Sequence, residues 1–366
     1  MSTTFCKYLT NQYRFVYGDL QPCCWYTKTQ DLNASPQEIE AYKQELYSIK
    51  DWVPECNFCK HREDQGMYSP RQQVNNTFEE AEAGDGISLE FQIDRDCNGG
   101  CLICGSWNST TWDQYTKNTT KKVFEIKANT DNVERWLEQI YSTVTLDKVK
   151  RITFLGGEPL RSDTHLRLLK EIEKVRDLSE IQVCYITNGS VKPNEELIEF
   201  WKRFKHINFN LSIDGVGEHF NYLRWPLQWH QVENNLRYLV DLKIPSFSFT
   251  GSYTLTPFSI YYHDKYEEWA KNFFEGTQVD YRLMFNKPYM ANGVMDLSSL
   301  PPVLMIDLIK KYKDYPIHLD GHNIIKCIPK YSKESYDKFM GYINYHDNHR
   351  KLNWRETFPE IQHYFK

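Results

Sequence analysis

The chain of 366 residues lacks the features that mark membrane and nucleic-acid-binding proteins. No apolar run approaches the roughly 20 residues that a membrane span needs, and the mean hydropathy is −0.65. With 44 basic against 49 acidic residues, the formal charge of −5 offers no excess of cations to neutralise a phosphate backbone. We therefore expect neither a membrane nor a long nucleic acid as a partner.

The first residues, Met-Ser-Thr-Thr-Phe-Cys-Lys, lack the basic start and apolar stretch of a secretory signal. This indicates a cytoplasmic, reducing location, where thiols stay reduced or bind metal. Cysteine is scarce, with 10 in the chain, yet most of these thiols fall in tight groups. Such clustering is typical of metal sites.

Beyond an acidic junction at residues 79–86, short β-rich runs alternate with segments of helical periodicity. Strands are predicted at residues 87–93, 151–155, 181–187, 207–213, 246–254 and 279–285. Helices are predicted at residues 132–144, 164–175, 194–204, 231–242, 266–274 and 302–312, with an earlier one at 36–49. The alternation predicts an α/β fold, a partial (β/α)6 TIM-like barrel of parallel strands that binds ligands at the strands' carboxyl ends. We expect a cysteine-rich region over residues 1–85, the barrel over 86–290 and a helical cap over 291–366.

Three cysteines follow the first predicted strand within one short loop. Cys97, Cys101 and Cys104 have the spacing C-x3-C-x2-C. A structural zinc site needs four protein ligands, whereas three thiolates on a [4Fe–4S] cluster leave one iron open to an exogenous ligand. A zinc loop completed by a distant cysteine or histidine is the alternative that the spacing leaves open.

The second predicted strand ends in Gly156, Gly157 and Glu158. Two glycines at a strand end remove side-chain bulk where a ligand must approach the backbone, and the carboxylate suits an ammonium group. Taken alone, these residues also fit a tight strand-to-helix turn. Their position one βα unit after the three-cysteine loop favours ligand binding.

These two motifs resemble the radical S-adenosylmethionine (SAM) superfamily, whose members hold a [4Fe–4S] cluster with C-x3-C-x2-C and bind the SAM amino group with a Gly-Gly-Glu motif. The resemblance implies that the three cysteines bind three irons, while the amine and carboxylate of SAM chelate the fourth. Ile103 departs from the pattern, because many members carry an aromatic residue there.

Later strand ends extend the resemblance toward members with additional clusters. The third predicted strand runs into Asn188 and Gly189, and the fourth into Ser212, with Arg224 twelve residues further along. The resemblance implies that Ser212 and Arg224 contact SAM, the arginine through paired hydrogen bonds to the methionine carboxylate. Asn188 is either a SAM contact or a turn residue, and Asp214 is expected to be structural. Without the resemblance, Arg224 would be predicted at the surface.

A second set of thiols precedes the barrel, and it consists of Cys6, Cys23, Cys56 and Cys59. Their spacing alone favours zinc, since C-x2-C pairs serve zinc and clusters alike. The element C-x11-G-x4-C, however, resembles the twitch half-domain of the SPASM/twitch radical SAM proteins, which carries one auxiliary [4Fe–4S] cluster. The glycine spacing favours Cys23 over Cys24 as the ligand. The resemblance extends to Glu63, Gly66, Ser69 and Arg71.

The resemblance implies an enzyme that reductively cleaves SAM to methionine and a 5′-deoxyadenosyl radical, which abstracts hydrogen from a substrate. Substrates of this group are commonly ribosomally made peptides, so we expect modification of a peptide or protein side chain. The electron donor would be a protein such as flavodoxin or ferredoxin. The alternatives are a radical SAM enzyme acting on a nucleotide or small metabolite, and a zinc-stabilised binding protein without catalysis.

The remaining cysteines and several histidines receive simpler interpretations. Cys184 is expected to be a buried small apolar residue within a strand. Cys327 is a weak candidate for a hydrogen-atom donor. Surface positions are predicted for His318, His322, His346 and His349.

Overall fold

The computed structural model describes residues 6–16, 19–23, 26, 30–31, 36–49, 51–64, 69–72, 74–75, 86–92, 94–113, 137–138, 146–286, 293–313, 318–319, 322–323 and 328–365. Cys24, Gly66, Cys327 and nearly all of the helix predicted at 132–144 lie outside these residues. Within the described ranges, none of the helices has the length and apolar character of a membrane span.

The strands are β1 Gln12–Val16, β2 Asp19–Gln21, β3 Gln30–Asp31, β4 Ile87–Gln92, β5 Val149–Leu155, β6 Gln182–Thr187, β7 His206–Ser212, β8 Phe247–Thr254, β9 Asp280–Asn286, β10 His318–Leu319 and β11 His322–Asn323. Nine of them form one sheet in the order β3-β2-β1-β4-β5-β6-β7-β8-β9. The pairs β1–β4, β4–β5, β5–β6 and β8–β9 are parallel. The six predicted strands correspond to β4–β9, so the predicted α/β fold is confirmed and is consistent with a partial barrel.

The helices are α1 Tyr8–Asn11, α2 Pro36–Ser48, α3 Asn57–Asp64, α4 Thr164–Glu173, α5 Glu195–Trp201, α6 Glu218–Leu223, α7 Trp229–Asp241, α8 His263–Phe274, α9 Pro302–Lys311, α10 Lys333–Arg350 and α11 Trp354–Thr357. Local capping explains several bounds. The Asn194 side chain accepts a hydrogen bond from the Leu197 N–H at 2.8 Å and starts α5. Helix α10 begins after Ser332. It ends at Arg350, because the next residue, Lys351, has a left-handed φ of 54°. The helical nature of the C-terminal segment is thus confirmed.

The N-terminal region contributes three strands that the sequence did not predict. β1 pairs in parallel with β4, and β2 pairs antiparallel with both β1 and β3. Contacts divide the chain into two compact units, one of residues 1–96, 125–186 and 193–209, the other of residues 97–124, 187–192 and 210–366. The division at residues 85 and 290 stays a prediction.

In the first unit, β1, β4, β5 and β6 present one aromatic face. One register row across these strands consists of Phe15, Phe91, Phe154 and Tyr185. The centroids of adjacent rings in this row are 5.1, 5.7 and 5.3 Å apart. All four side chains are buried. Burial of each such ring contributes about 1.5–3 kcal/mol, so this row is a main stabilising element of the sheet.

The opposite face of these four strands is polar. Its row consists of Arg14, Glu90, Thr153 and Cys184, in register across the strands. Arg14 forms a nearly buried ion pair with Glu90. Cys184 is 5% exposed, which confirms its predicted burial, and its Sγ lies 3.5 Å from Asn208 Oδ1.

The second unit has an aromatic core around Phe258, which follows β8. Its ring lies 5.1 Å from Phe339 of α10 and 5.2 Å from Trp354 of α11. The prediction that His346 is a surface residue was wrong, because its side chain is 2% exposed and its ring lies 5.0 Å from that of Trp112. His349 is exposed, as predicted. His318 and His322 lie in the β10–β11 hairpin, and their side chains are outside the described set.

Candidate functional site

The three-cysteine loop, residues 97–104, belongs to the second unit and is fastened at its start by the segment that follows it. The Cys97 N–H donates to Thr110 Oγ1 at 3.3 Å, and the Cys97 carbonyl accepts from Thr111 Oγ1 at 2.7 Å. Ser109 Oγ donates to the Gly99 carbonyl at 2.6 Å. Three consecutive hydroxyl groups therefore hold the backbone between Cys97 and Gly99.

Gly99 lies on the same side of the loop as two of the sulfur atoms. A Cβ atom on Gly99 would lie 3.3 Å from Cys101 Sγ and 3.7 Å from Cys97 Sγ. Any side chain at this position would occupy space beside both sulfurs. The glycine thus leaves room for a group held by the three thiolates to approach the backbone.

The three thiols influence one another electrostatically. Burial raises the pKa of Cys101, whereas the nearby Arg224 guanidinium lowers it. Burial raises the pKa of Cys104, and the neighbouring Cys101 and Cys97 raise it further. Three closely spaced thiolates are costly without a compensating cation, and iron or another metal supplies that positive charge. The donor set therefore fits a metal cluster.

Two predicted SAM contacts lie next to this loop. Asn188 is 6% exposed, and its Nδ2 lies 3.9 Å from Cys97 Sγ and 3.0 Å from Asn98 Oδ1. Arg224 Nη1 lies 3.7 Å from Cys101 Sγ. Both amino acids therefore direct N–H groups toward sulfur.

Arg224 is buried, and does not lie at the surface as its sequence would suggest without the resemblance. Its side chain is 7% exposed and pairs with Asp214, whose side chain is 1% exposed, at an Nη2–Oδ2 distance of 2.7 Å. Asp214 also accepts the Thr254 N–H at 2.8 Å, which suits its expected structural role. The guanidinium is buried because a carboxylate on the β7–α6 loop neutralises it. Ser212, at the end of β7, is half-buried.

The Gly-Gly-Glu motif belongs to the first unit and packs tightly against its own neighbours. The Gly157 N–H donates to the Asp94 carbonyl at 2.8 Å, and a Cβ atom on Gly157 would lie only 2.2 Å from the Asp96 carbonyl oxygen. Gly156 has a φ of 130°. Glu158 is 1% exposed, and its carboxylate accepts the Leu160 N–H at 3.3 Å. The turn accounts for both glycines, and a role of Glu158 toward SAM stays a prediction.

The structure brings the four N-terminal cysteines to the wall of one cavity of the first unit. Cys6 precedes α1, Cys23 follows β2, Cys56 ends a short 3-10 helix and Cys59 lies in α3. None of the eight described cysteines is in a disulfide bond. Among the described residues, no His, Cys, Asp or Glu group has the compact arrangement that holds a single metal ion.

Burial has the largest effect on the pKa values of the thiols in this cavity, and the neighbouring thiols add to it for Cys6 and Cys56. Burial raises the pKa of Cys6 to about 12 and that of Cys56 to about 11. Arg71 opposes these shifts. Its guanidinium donates to both carboxylate oxygens of Glu63 at 2.9 and 2.5 Å. Ser69 Oγ donates to Glu63 at 2.5 Å, so three residues of the twitch resemblance form one hydrogen-bonded group beside the thiols.

Comparison with known proteins finds one family model that matches part of the chain. Residues 92–260 match the family model of the radical SAM superfamily. No curated protein matches the chain. The chain is similar to the solved structure of native anSMEcpe with bound AdoMet, at 18% identity over 62% of this chain and 60% of that chain, with a TM-score of 0.43.

The chain is also similar to the structure of Streptococcus suis SuiB bound to S-adenosylmethionine, at 17% identity over 76% of this chain and 57% of that chain, with a TM-score of 0.42. It therefore spans less than two thirds of the length of either structure. The matched family region contains the three-cysteine loop, the Gly-Gly-Glu motif and Arg224. Over residues 92–260 the chain is thus similar to the radical SAM superfamily.

Proposed function

We propose that this chain cleaves SAM by one-electron reduction and uses the resulting radical to modify a peptide or protein side chain. The observation that carries this proposal is the three-cysteine loop within the region that matches the radical SAM family model, where the Cys97 and Cys101 sulfurs lie beside Gly99 and beside buried N–H donors. The match to the radical SAM superfamily model supports an enzyme, and the reaction and the substrate of this enzyme belong to the proposal.

Cys97, Cys101 and Cys104 would hold the [4Fe–4S] cluster. When bound, the cluster and SAM supply an electron and a 5′-deoxyadenosyl radical that abstracts hydrogen from the substrate. The chain itself contributes preorganised hydrogen-bond donors, because Asn188 and Arg224 direct N–H groups at sulfur before any cofactor binds. Hydrogen bonds to thiolate sulfur stabilise its negative charge and so favour the reduced state.

SAM would be bound by Gly156, Gly157, Glu158, Asn188 and Ser212, with Arg224 as a further contact. The Nε atom of Arg224 is buried and has no hydrogen-bond partner in the described structure, although both of its Nη atoms have neighbours. The Nε–H group is thus available for the methionine carboxylate, and each Nη atom carries a second N–H group besides the one directed at its neighbour. These donors suit the paired hydrogen bonds that the resemblance implies.

Cys6, Cys23, Cys56 and Cys59 would ligate one auxiliary [4Fe–4S] cluster within a twitch-like region of residues 1–85. Four thiolates leave no open iron, so we assign this cluster to electron transfer and not to substrate binding. The Arg71 guanidinium, held by Glu63, supplies positive charge beside the four thiols. A structural zinc is the competing occupant.

The peptide substrate is what the resemblance to twitch-bearing members implies. We propose a cytoplasmic enzyme reduced by a flavodoxin or ferredoxin. Incubation with a small peptide encoded beside the gene should change the peptide's mass in a SAM-dependent manner. Modification of a nucleotide or small metabolite instead would reject the peptide assignment.

Anaerobic reconstitution tests the cofactor assignment. We expect about eight irons per chain, as for two [4Fe–4S] clusters, and release of 5′-deoxyadenosine when SAM and a reductant are added. A colourless protein with stoichiometric zinc and no 5′-deoxyadenosine would reject the catalytic proposal. About four irons together with SAM cleavage would retain the catalytic site and reject the auxiliary cluster.

A further inference from the structure

The backbone on either side of Cys101 is bonded to two different elements of the second unit. The N–H groups of Gly100 and Leu102 donate to the carbonyls of Trp225 at 2.6 Å and Leu223 at 2.9 Å. The carbonyls of Gly100 and Leu102 accept hydrogen bonds from a different element, helix α10. Cys101 is therefore held between two residues whose backbone groups are fully bonded.

The donors from α10 are two side chains that lie about 240 residues later in the chain. Arg350 Nη2 donates to the Gly100 carbonyl at 2.6 Å, and Tyr342 Oη donates to the Leu102 carbonyl at 2.8 Å. Both donors lie on one face of α10, because residues eight apart are separated by about two helical turns. A single helix face thus fastens both carbonyls of the loop.

The same helix face also holds Trp112, in the short 3-10 helix that follows the loop. The Trp112 ring stacks on Tyr342 at a centroid distance of 6.4 Å and meets His346 edge-on at 5.0 Å. Arg350 lies over the same ring at 5.5 Å. Helix α10 therefore contacts both the loop and the segment that fastens its start.

Arg350 brings a permanent positive charge to this position. Its side chain is buried, with 7% of the residue exposed, and the guanidinium also lies over the Trp225 ring at 5.1 Å. Arginine does not lose its proton in proteins, and a buried charge acts more strongly on its neighbours than an exposed one.

The last turn of α10 is anchored beside this charge. Asp347 accepts hydrogen bonds from Tyr222 Oη at 2.7 Å and from the Trp354 N–H at 2.9 Å. These two bonds fix the turn from which Arg350 extends. The position of the guanidinium is thus determined by the packing of the whole C-terminal segment.

We propose that Arg350 and Tyr342 are positioning residues of the three-cysteine loop, and that the Arg350 charge raises the reduction potential of the cluster bound there. The second part rests on the proposed function. Reduction adds negative charge to the cluster, so a fixed cation beside the loop stabilises the reduced state. The two hydrogen bonds act in the absence of metal and keep the loop backbone ordered.

Four variants separate the charge from the hydrogen bonds. R350Q removes the charge, R350K keeps it but loses the planar guanidinium, and Y342F removes only the hydroxyl group. The matched control is K338Q, which removes one positive charge from an exposed position of α10 that pairs with Glu334. Amide hydrogen exchange of residues 99–104 is measured on the metal-free chain, and the midpoint potential is measured by EPR-monitored titration after reconstitution.

We expect R350Q to reduce the ratio of reduced to oxidised cluster at a given potential by about tenfold, which corresponds to about 59 mV for a one-electron couple. R350K keeps the charge and should therefore have a midpoint potential close to that of the parent chain. K338Q should leave the potential unchanged. Exchange of the loop amides should become faster in R350Q and Y342F, with Y342F showing no shift in potential.

Each of three results would overturn the proposal or one of its parts. If R350Q and K338Q have the same potential in a chain that binds iron and cleaves SAM, the role of Arg350 is rejected while the proposed function stands. If loop exchange in R350Q and Y342F matches the parent chain, the positioning role is rejected whether or not iron is bound. A parent chain that binds no iron rejects the cluster and its tuning together.

Discussion

The three-cysteine loop and the four-cysteine cavity are assembled in different ways. The loop takes its thiols from one stretch of eight residues, and its backbone is then held by residues 109–111, residues 223–225 and helix α10. The cavity takes its thiols from separate segments around α1, β2 and α3, which only the fold brings together. A short ligand loop can thus be recognised by its spacing, whereas a dispersed ligand set depends on tertiary contacts.

The two sites also differ in how their arginines are neutralised. Beside the loop, the Arg224 and Asp214 side chains are 7% and 1% exposed. Beside the cavity, the Arg71 and Glu63 side chains are 11% and 16% exposed, and Arg71 also lies 5.3 Å from the Trp52 ring centre. Charge near the loop is therefore more completely removed from water, which makes its pairing more important for stability.

The largest contrast between the sites is expected in catalysis. Replacing Cys97, Cys101 and Cys104 by alanine should reduce SAM cleavage to the background level, because no thiolate remains to hold the cluster that SAM binds. The measurement is 5′-deoxyadenosine formed on reduction of the reconstituted chain. C184A is the control, since it removes one buried thiol from a strand of the first unit. Continued cleavage in the triple variant would disprove the assignment.

The cavity should affect iron content more than SAM cleavage. The double variant C56A/C59A should lose about four irons per chain, the content of one [4Fe–4S] cluster. SAM cleavage without substrate should persist, because the three-cysteine loop is intact. Iron and acid-labile sulfide analysis checks the first expectation. An unchanged iron content would show that these thiols are not ligands.

The buried ion pair of the loop should dominate the stability of its surroundings. D214N leaves the Arg224 guanidinium buried without a carboxylate, which should lower the free energy of unfolding by about 3–5 kcal/mol. Urea unfolding of the metal-free chain measures this change. The exposed pair Lys338–Glu334 offers a control, since E334Q should leave the free energy of unfolding nearly unchanged. Equal losses in the two variants would contradict the importance of burial.

The smallest of these effects is expected at the cavity. E63Q removes the charge that pairs with Arg71, at a site more exposed than Asp214, and should cost about 1–3 kcal/mol in the same urea experiment. The Ser69 and Arg71 hydrogen bonds can still reach the amide oxygen of glutamine. A loss as large as that of D214N would show that the two ion pairs are equally buried in solution.

The regular elements were predictable where apolar residues alternate with a clear period. Strands β4–β9 and most of the helices between them were predicted within a few residues. Strand β1 was missed because its polar–apolar alternation extends over only five residues, too few to distinguish it from the turn-rich sequence around it. Its pairing with β4, about 75 residues away, is a tertiary contact that no local pattern reports.

The site residues divide in the same way. The spacing of the three cysteines and the Gly-Gly-Glu motif could be recognised, since each depends on a few adjacent residues. The burial of Arg224 could not, because it depends on Asp214, and neither could the inward position of His346, because it depends on Trp112. Arg350 and Tyr342 gave no sequence signal, since their partners are backbone carbonyls that any residue possesses.

By itself the sequence determined the α/β class, the parallel order of strand and helix, and the chemical nature of the thiol groups, because periodicity and spacing are properties of neighbouring residues. Only the tertiary structure decided which charges are buried, which carbonyls helix α10 holds and which distant cysteines share a cavity. Those outcomes depend on packing between segments far apart in the chain, where burial changes the energy of every charge and hydrogen bond.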